Sequence, residues 1–274
     1  MNPLAARLRT AMLTGRRRPG VRGAGAPVKR RSDGYEFAEL RGYVAGDDPR
    51  RIDWAATARA GSLQTRVVFE DHALTFAAAL DASGSMFVGR TRSNYDIAGG
   101  AAAFWYGAAI DDDRCARVTA NGLVFARELR GRIAARLCAE QSETRGAPFA
   151  ASLEIALAAL PRSANLLLIS DFFEIDAFDP LLRACAARFD VTALLVSDPW
   201  KSGLPLGGFV RLRDAESGET GRYYIGARER DRYLAAVEAR ERRVLGRLMR
   251  LGVRTAALDE GGPEIAFFEA FGIA

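Results

Sequence analysis

The 274-residue sequence predicts an α/β fold, a mostly parallel sheet with an antiparallel edge and helices on both faces. Three observations carry this prediction. Short apolar runs bounded by turn residues recur at 74–80, 116–120, 123–127, 165–170 and 191–197. Helical stretches at 94–110, 131–141, 150–160 and 178–189 alternate with them, and that alternation is the pattern of strands joined by crossover helices. Asn121-Gly122 separates two of the runs, a hairpin signal that makes one edge antiparallel.

The remaining elements follow in chain order. Residues 1–34 read as a flexible basic segment, in which Leu4, Leu8 and Met12 have the spacing of a short amphipathic helix. After it, TGRRRPGVRGAGAPVKRRSDG is too rich in Gly, Pro and Arg to hold regular structure. The main domain is expected over 73–274. Near 200–226 it carries a hairpin insertion, 209–213 against 221–225, turning through DAESGETG. A helix at 228–250 places Tyr233, Val237, Val244, Leu248 and Leu251 on one face, and 253–258 supplies the last strand. Hairpin and helix together read as a C-terminal appendage.

Composition bounds the function classes. Apolar residues make up 49% and charged residues 27%, an ordinary globular balance. Lys and Arg exceed Asp and Glu by 39 to 34, which favours an acidic partner without choosing among protein, nucleic acid and lipid headgroup. From Met1 to Ser32 there are nine basic residues and no acid, but no interleaved aromatics, so nucleic-acid binding through this segment is a secondary reading. Cys115, Cys138 and Cys185 are widely spaced and read as buried thiols of a reducing compartment. The stretch 97–110 is shorter than the roughly 20 residues a membrane span needs, and no apolar run follows the N-terminal arginines. The expectation is a cytoplasmic protein without a transmembrane segment.

The chemistry concentrates where strands end. LDASGSM puts Asp81, Ser83 and Ser85 directly after one apolar run, and NLLLISDFFE puts Asp171 directly after another. Ligands of parallel sheets bind at the carboxyl ends of strands. Two carboxylates and two hydroxyls form an all-oxygen set suited to a hard divalent ion such as Mg²⁺ or Mn²⁺. His72, the only histidine, has no cysteine near it and reads as structural.

The D-x-S-x-S pattern with a later strand-ending aspartate resembles the metal-ion-dependent adhesion site of von Willebrand factor A domains. Upstream, FAELRGYVAGDDPRRIDWAATARAGSLQTRVVFED is similar to the signature block of the domain-of-unknown-function family 58, in which such a block precedes an A-type domain. The resemblance implies a von Willebrand factor A-like, doubly wound sheet, with the signature segment 35–72 packed on the main domain. Within that segment, Gly46, Asp47, Asp48, Arg50, Arg51, Asp53, Trp54 and Arg59 form a charged turn around an aromatic. The simplest structural reading makes Trp54 a plug and the arginines anchors for carboxylates.

The resemblance also implies a direct metal ligand from a threonine before the third helix. Here the stretch is TRGAPFAASLEIAL, which puts Ala147 at that position and Thr144 three residues upstream. Mg²⁺ or Mn²⁺ binding is therefore expected to be weak or absent, given the strict octahedron of Mg²⁺. The implied function is a protein–protein interaction module gripping an acidic surface, with a MoxR-type AAA+ ATPase as the implied partner, in assembly or maturation of other proteins. The enzyme alternative is a haloacid-dehalogenase-like phosphatase using Asp81. It lacks the second aspartate two residues on, where Ser83 stands, and no P-loop or G-x-S-x-G is present, so no enzymatic activity is expected.

Overall fold

The protein is described by a computed structural model covering residues 3–15, 35–43, 49, 52–70, 73–125, 131–140 and 142–273. The chain divides into two compact units, one of residues 17–73 and one combining 1–16 with 74–274.

In the smaller unit, β1 (Tyr35–Gly42) pairs antiparallel with β2 (Gln64–Glu70), with a register shift between Phe37 and Glu39. Between them lies the helix α2 (Trp54–Ala60). Asp53 caps α2 by accepting from the Ala56 amide at 2.9 Å, and Gly61 closes it in the left-handed region at φ 67°. Neither strand nor helix here is part of the predicted pattern.

The larger unit is built on one six-stranded sheet. Its strands are β3 (Thr75–Leu80), β4 (Arg114–Thr119), β5 (Gly122–Phe125), β6 (Ala164–Ser170), β7 (Asp190–Val196) and β10 (Arg254–Leu258). They lie in the order β10-β7-β6-β3-β4-β5, all parallel except β5, which runs antiparallel to β4. The turn into β5 is Ala120-Asn121, with Thr119 opposite Gly122. This is one residue earlier than the Asn-Gly signal suggests, and Gly122 takes a φ of 142° inside the strand.

Helices cover both faces. On one lie α3 (Asn94–Tyr106), α4 (Gly131–Glu140) and α8 (Pro263–Phe271), over Phe76, Ala78, Leu80, Leu167, Ile169 and Val196. On the other lie α5 (Phe149–Ala159), α6 (Ile175–Arg188) and α7 (Ala227–Arg250), over Ala77, Ala79, Leu166, Leu168 and Leu195. Successive strand residues thus serve opposite cores, which is why β3 and β6 read as unbroken apolar runs. The helix α6 starts three residues before the expected 178, with Phe178 out of helical geometry ahead of Pro180.

Two expectations need correction. The segment 1–34 is not flexible throughout: α1 (Pro3–Gly15) is a helix whose Ala5, Leu8 and Met12 are buried in the α3–α4–α8 core. Its Arg9 is buried in an ion pair with Asp113, and the Arg7 guanidinium lies 5.3 Å from the Phe268 ring centroid. Two of the nine basic residues are therefore committed to folding; residues 16–34 lie outside the described residues. The second correction concerns the C-terminal helix. Val244 and Leu248 of α7 are core residues and the helix leads into the sheet strand β10, so of the two expected parts only the hairpin of β8 (Gly208–Arg213) and β9 (Thr220–Ile225) lies outside the central sheet and its helical layers.

Candidate functional site

Strands β3 and β6 are parallel neighbours at the centre of the sheet, and the chain leaves β3 toward β4 on the opposite side from β6. A crevice opens at such a switch point, at the carboxyl ends of both strands. The register pairs Leu80 with Ile169, and the Asp81 amide donates to the Ile169 carbonyl at 2.8 Å. Asp81 and Asp171 therefore emerge side by side, and both are almost fully buried.

Asp81 is held at both oxygens. Oδ1 accepts from the Ser83 amide at 2.8 Å, and Oδ2 accepts from the Ser170 hydroxyl. Ser83 and Ser85 face the same point, with hydroxyls 3.2 Å apart. Burial pushes the Asp81 carboxyl above the usual carboxylate range; donation from Ser170 and Ser83 pulls it back, and the charge of Asp171 adds to the rise. Asp171 accepts from the Phe173 amide at 3.0 Å, and its carbonyl accepts from Arg240 of α7. The next residue, Phe172, takes a φ of 51°, a left-handed conformation that costs a non-glycine residue about 1–2 kcal/mol. Packing of the buried Phe172 ring with Phe149 and Phe178 opposes that cost.

A residue that the sequence does not single out completes the arrangement. At the tip of the β8–β9 hairpin, the Glu216 carboxylate accepts from the Gly84 amide at 3.0 Å and the Ser85 amide at 2.8 Å. The tip is pre-shaped by Asp214, whose Oδ1 accepts from the amides of Ser217 and Glu216 and from the Ser217 hydroxyl. Those bonds hold the Asp214 carboxyl below the usual range. The approach is close enough to demand glycine: a Cβ at Gly84 would lie 2.1 Å from the Ala215 carbonyl oxygen. No local signal marks Glu216, which is 132 residues from Gly84 in sequence.

The structure thus brings Asp81, Ser83 and Ser85 together with Asp171. The 142–148 loop also reaches the site, since the Gly146 amide donates to the Ala82 carbonyl at 2.6 Å. Ala147 follows it, half-buried and without an oxygen in its side chain, while Thr144 is exposed. Among the described residues, no group of three or more His, Cys, Asp or Glu side chains is placed to hold one metal ion. The donors at hand are two hydroxyls and two carboxylates. These fit a hard cation in kind, with hydroxyls as direct ligands and carboxylates acting through water.

The signature residues are distributed differently. Gly46, Asp47, Asp48, Arg50 and Arg51 lie outside the described residues, as does His72. Asp53 is the cap of α2, and Arg59 is an exposed residue of its last turn. Trp54 is 68% exposed and so is not a plug. It occupies the first position of a helix whose inward residue is Ala56, leaving the indole on the outer side.

Among the described residues no helix is long and apolar enough to cross a membrane. All three cysteines are buried and free. The sequence is 32% identical over 222 residues to the uncharacterized protein Mb1516 of Mycobacterium bovis and, to the same extent, to Rv1480 of Mycobacterium tuberculosis, covering 75% of this chain and 68% of each relative. Among solved structures, BatB from Bacteroides thetaiotaomicron aligns with a TM-score of 0.43 at 16% identity, over 68% of this chain and 90% of that one. An aerotolerance-related membrane protein from Bacteroides fragilis aligns with a TM-score of 0.44 at 12% identity, over 73% and 100%. The family described as "Protein of unknown function DUF58" matches residues 39–243, three-quarters of the sequence, and the chain belongs to that family.

Proposed function

We propose that the chain is a non-enzymatic protein–protein interaction module whose Asp81–Ser85 loop receives a carboxylate from a protein partner. The single observation that carries this reading is Glu216: the loop already holds one carboxylate, in cis, on the amides of Gly84 and Ser85. Glu216 is exposed, so water competes for both bonds and they are weak enough to exchange for an equivalent acid from outside. A divalent ion bound by Ser83 and Ser85, with Asp81 and Asp171 behind it, would add charge attraction for that acid. The partner class is the MoxR-type AAA+ ATPases, in line with the family resemblance.

The test is binding of a purified MoxR-type ATPase to the immobilised full chain, in Mg²⁺ and in EDTA. Wild type is expected to bind in Mg²⁺, Asp81→Ala to lose binding, and Glu216→Ala to bind more tightly because the competing carboxylate is gone. Equal binding by all three proteins overturns the reading. Turnover of a generic phosphate ester that disappears in Asp81→Asn replaces it with the phosphatase.

A further inference from the structure

A second feature of the larger unit is independent of this loop. Arg117 lies in the middle of β4 and is only 1% exposed, one of the largest fully buried side chains of the protein. By strand alternation it points to the same face as Cys115, beneath α3 and α4. Its Nε and Nη1 have no hydrogen-bond partner among the described residues.

The two titratable groups in the core beside it, Tyr106 and Cys138, do not supply a negative charge. Burial pushes the Tyr106 hydroxyl well up and the Cys138 thiol to about 11, despite the opposing pull of Arg117 on both. Both are neutral at physiological pH. The Tyr106 hydroxyl donates to the Ala116 carbonyl at 2.6 Å, so it does not serve the guanidinium either. A buried cation without a counter-charge is among the costliest arrangements in a protein.

Arg117 also lines a cavity of about 410 Å³ between α3 and α4, together with Arg92, Tyr95, Gly99 and Ser142. Two acids sit on its wall, Asp96 and Glu140, and each makes its hydrogen bonds to other groups, so that they act on Arg117 only through space. Asp96 accepts from the Ser93 amide and hydroxyl in the cap of α3, and Glu140 accepts from Arg136 at 2.7 Å. The cavity leaves open space beside Gly99, where a Cβ would meet nothing within 4 Å.

We propose that this cavity is a binding site for a small molecule with an oxyanion head group, phosphate or carboxylate, which pairs with the guanidinium of Arg117. A planar guanidinium offers two parallel N–H donors to two oxygens, the geometry both head groups share. Arg92 at the rim is the second cation, and Ser142 offers a hydroxyl to the ligand. The volume exceeds that of a bare phosphate, so the cavity has room for a larger molecule behind the head group.

The experiment is thermal unfolding of the full chain in inorganic phosphate, in acetate and in chloride at matched ionic strength. Wild type is expected to gain about 3–5 °C in Tm at ten times the Kd of its preferred anion, and the larger response tells phosphate from carboxylate. Arg117→Met should match or exceed the wild-type Tm in chloride, because the uncompensated charge is gone, and should lose the anion response. Gly99→Leu, which leaves Arg117 in place and fills the cavity, should also lose the response. The proposal is overturned if wild type responds to neither anion, or if Gly99→Leu responds like wild type. It is equally overturned if Arg117→Met unfolds several degrees below wild type in chloride, since Arg117 then has its partner within the chain.

Discussion

The Ser170 hydroxyl donates to one Asp81 oxygen while accepting from the Phe172 amide at 2.7 Å, so one side chain ties the end of β6 to the end of β3. Ser170 is fully buried and Asp81 nearly so, which leaves no water to replace the bond. Ser170→Ala should destabilise the protein by about 1.5–3 kcal/mol where Asp81 is ionised, the usual worth of a hydrogen bond to a charged group. The sign with pH is fixed. Burial already raises the folded pKa of Asp81, and loss of the donor raises it further. The variant then holds a proton that wild type has released, so its deficit grows as pH rises through the wild-type folded pKa and is small below it. Denaturant unfolding in EDTA at several pH values, with an NMR titration of Asp81, checks this.

Glu216→Ala should act locally. Of the two amide bonds it removes, that of Gly84 is part-buried and that of Ser85 exposed, and a loss of about 1 kcal/mol corresponds to roughly fivefold faster hydrogen exchange at both. Amides within β3 and β6 should exchange as in wild type. Unchanged exchange at Gly84 and Ser85 would show that the hairpin tip does not hold the loop in solution.

Leu8→Ala should cost about 2–5 kcal/mol, the range for a truncated, fully buried leucine. The Asp113→Asn variant breaks the pairing of α1 from the other side, since Asp113 also accepts from the Leu74 amide at 2.7 Å and the Ile110 amide at 2.8 Å. Burial raises the Asp113 carboxyl despite these donors and Arg9, so the stability that wild-type Asp113 contributes falls as pH rises through its folded pKa. The difference between Asp113→Asn and wild type should therefore be larger near pH 4 than near pH 7. Urea unfolding of both variants measures these effects.

Trp54→Ala should change stability by no more than about 0.5 kcal/mol, as expected of an exposed side chain. Asp53→Ala, its neighbour, should cost about 1 kcal/mol through loss of the α2 cap. A reversed order of the two would place the indole in a buried contact.

The central sheet is legible in the sequence because its strands are buried on both faces, and such strands leave unbroken apolar runs. Asp81 and Asp171 follow from the same logic, since parallel neighbours deliver the residues after their last apolar positions to one edge. Glu216 obeys no such rule: its place depends on how far a hairpin reaches across the molecule. Arg117 is hidden for the opposite reason, set among Cys115, Ala116 and Val118 in a run whose periodicity is that of any core strand. The helix α1 is legible in the spacing of Leu4, Leu8 and Met12, but its burial is obscured by the arginines, which suggest a solvated tail although Arg9 is buried against Asp113. The turn at Ala120-Asn121 is one residue off because Asn-Gly marks a reversal more reliably than its register.

The clasp between the first and last helices has a consequence for biosynthesis. Leu8 and Met12 share a core with Phe267, and Arg7 lies over Phe268, so α1 has no finished seat until α8 is made. Between them lie 247 residues, 16–262, and at about 5–20 residues per second α1 waits on the order of ten seconds or more for its partner on the ribosome. During that interval an amphipathic, arginine-bearing helix is exposed beside a growing sheet. The seat of α1 is thus a candidate for late closure during translation, since α1 is made well before α8 and is buried only with it.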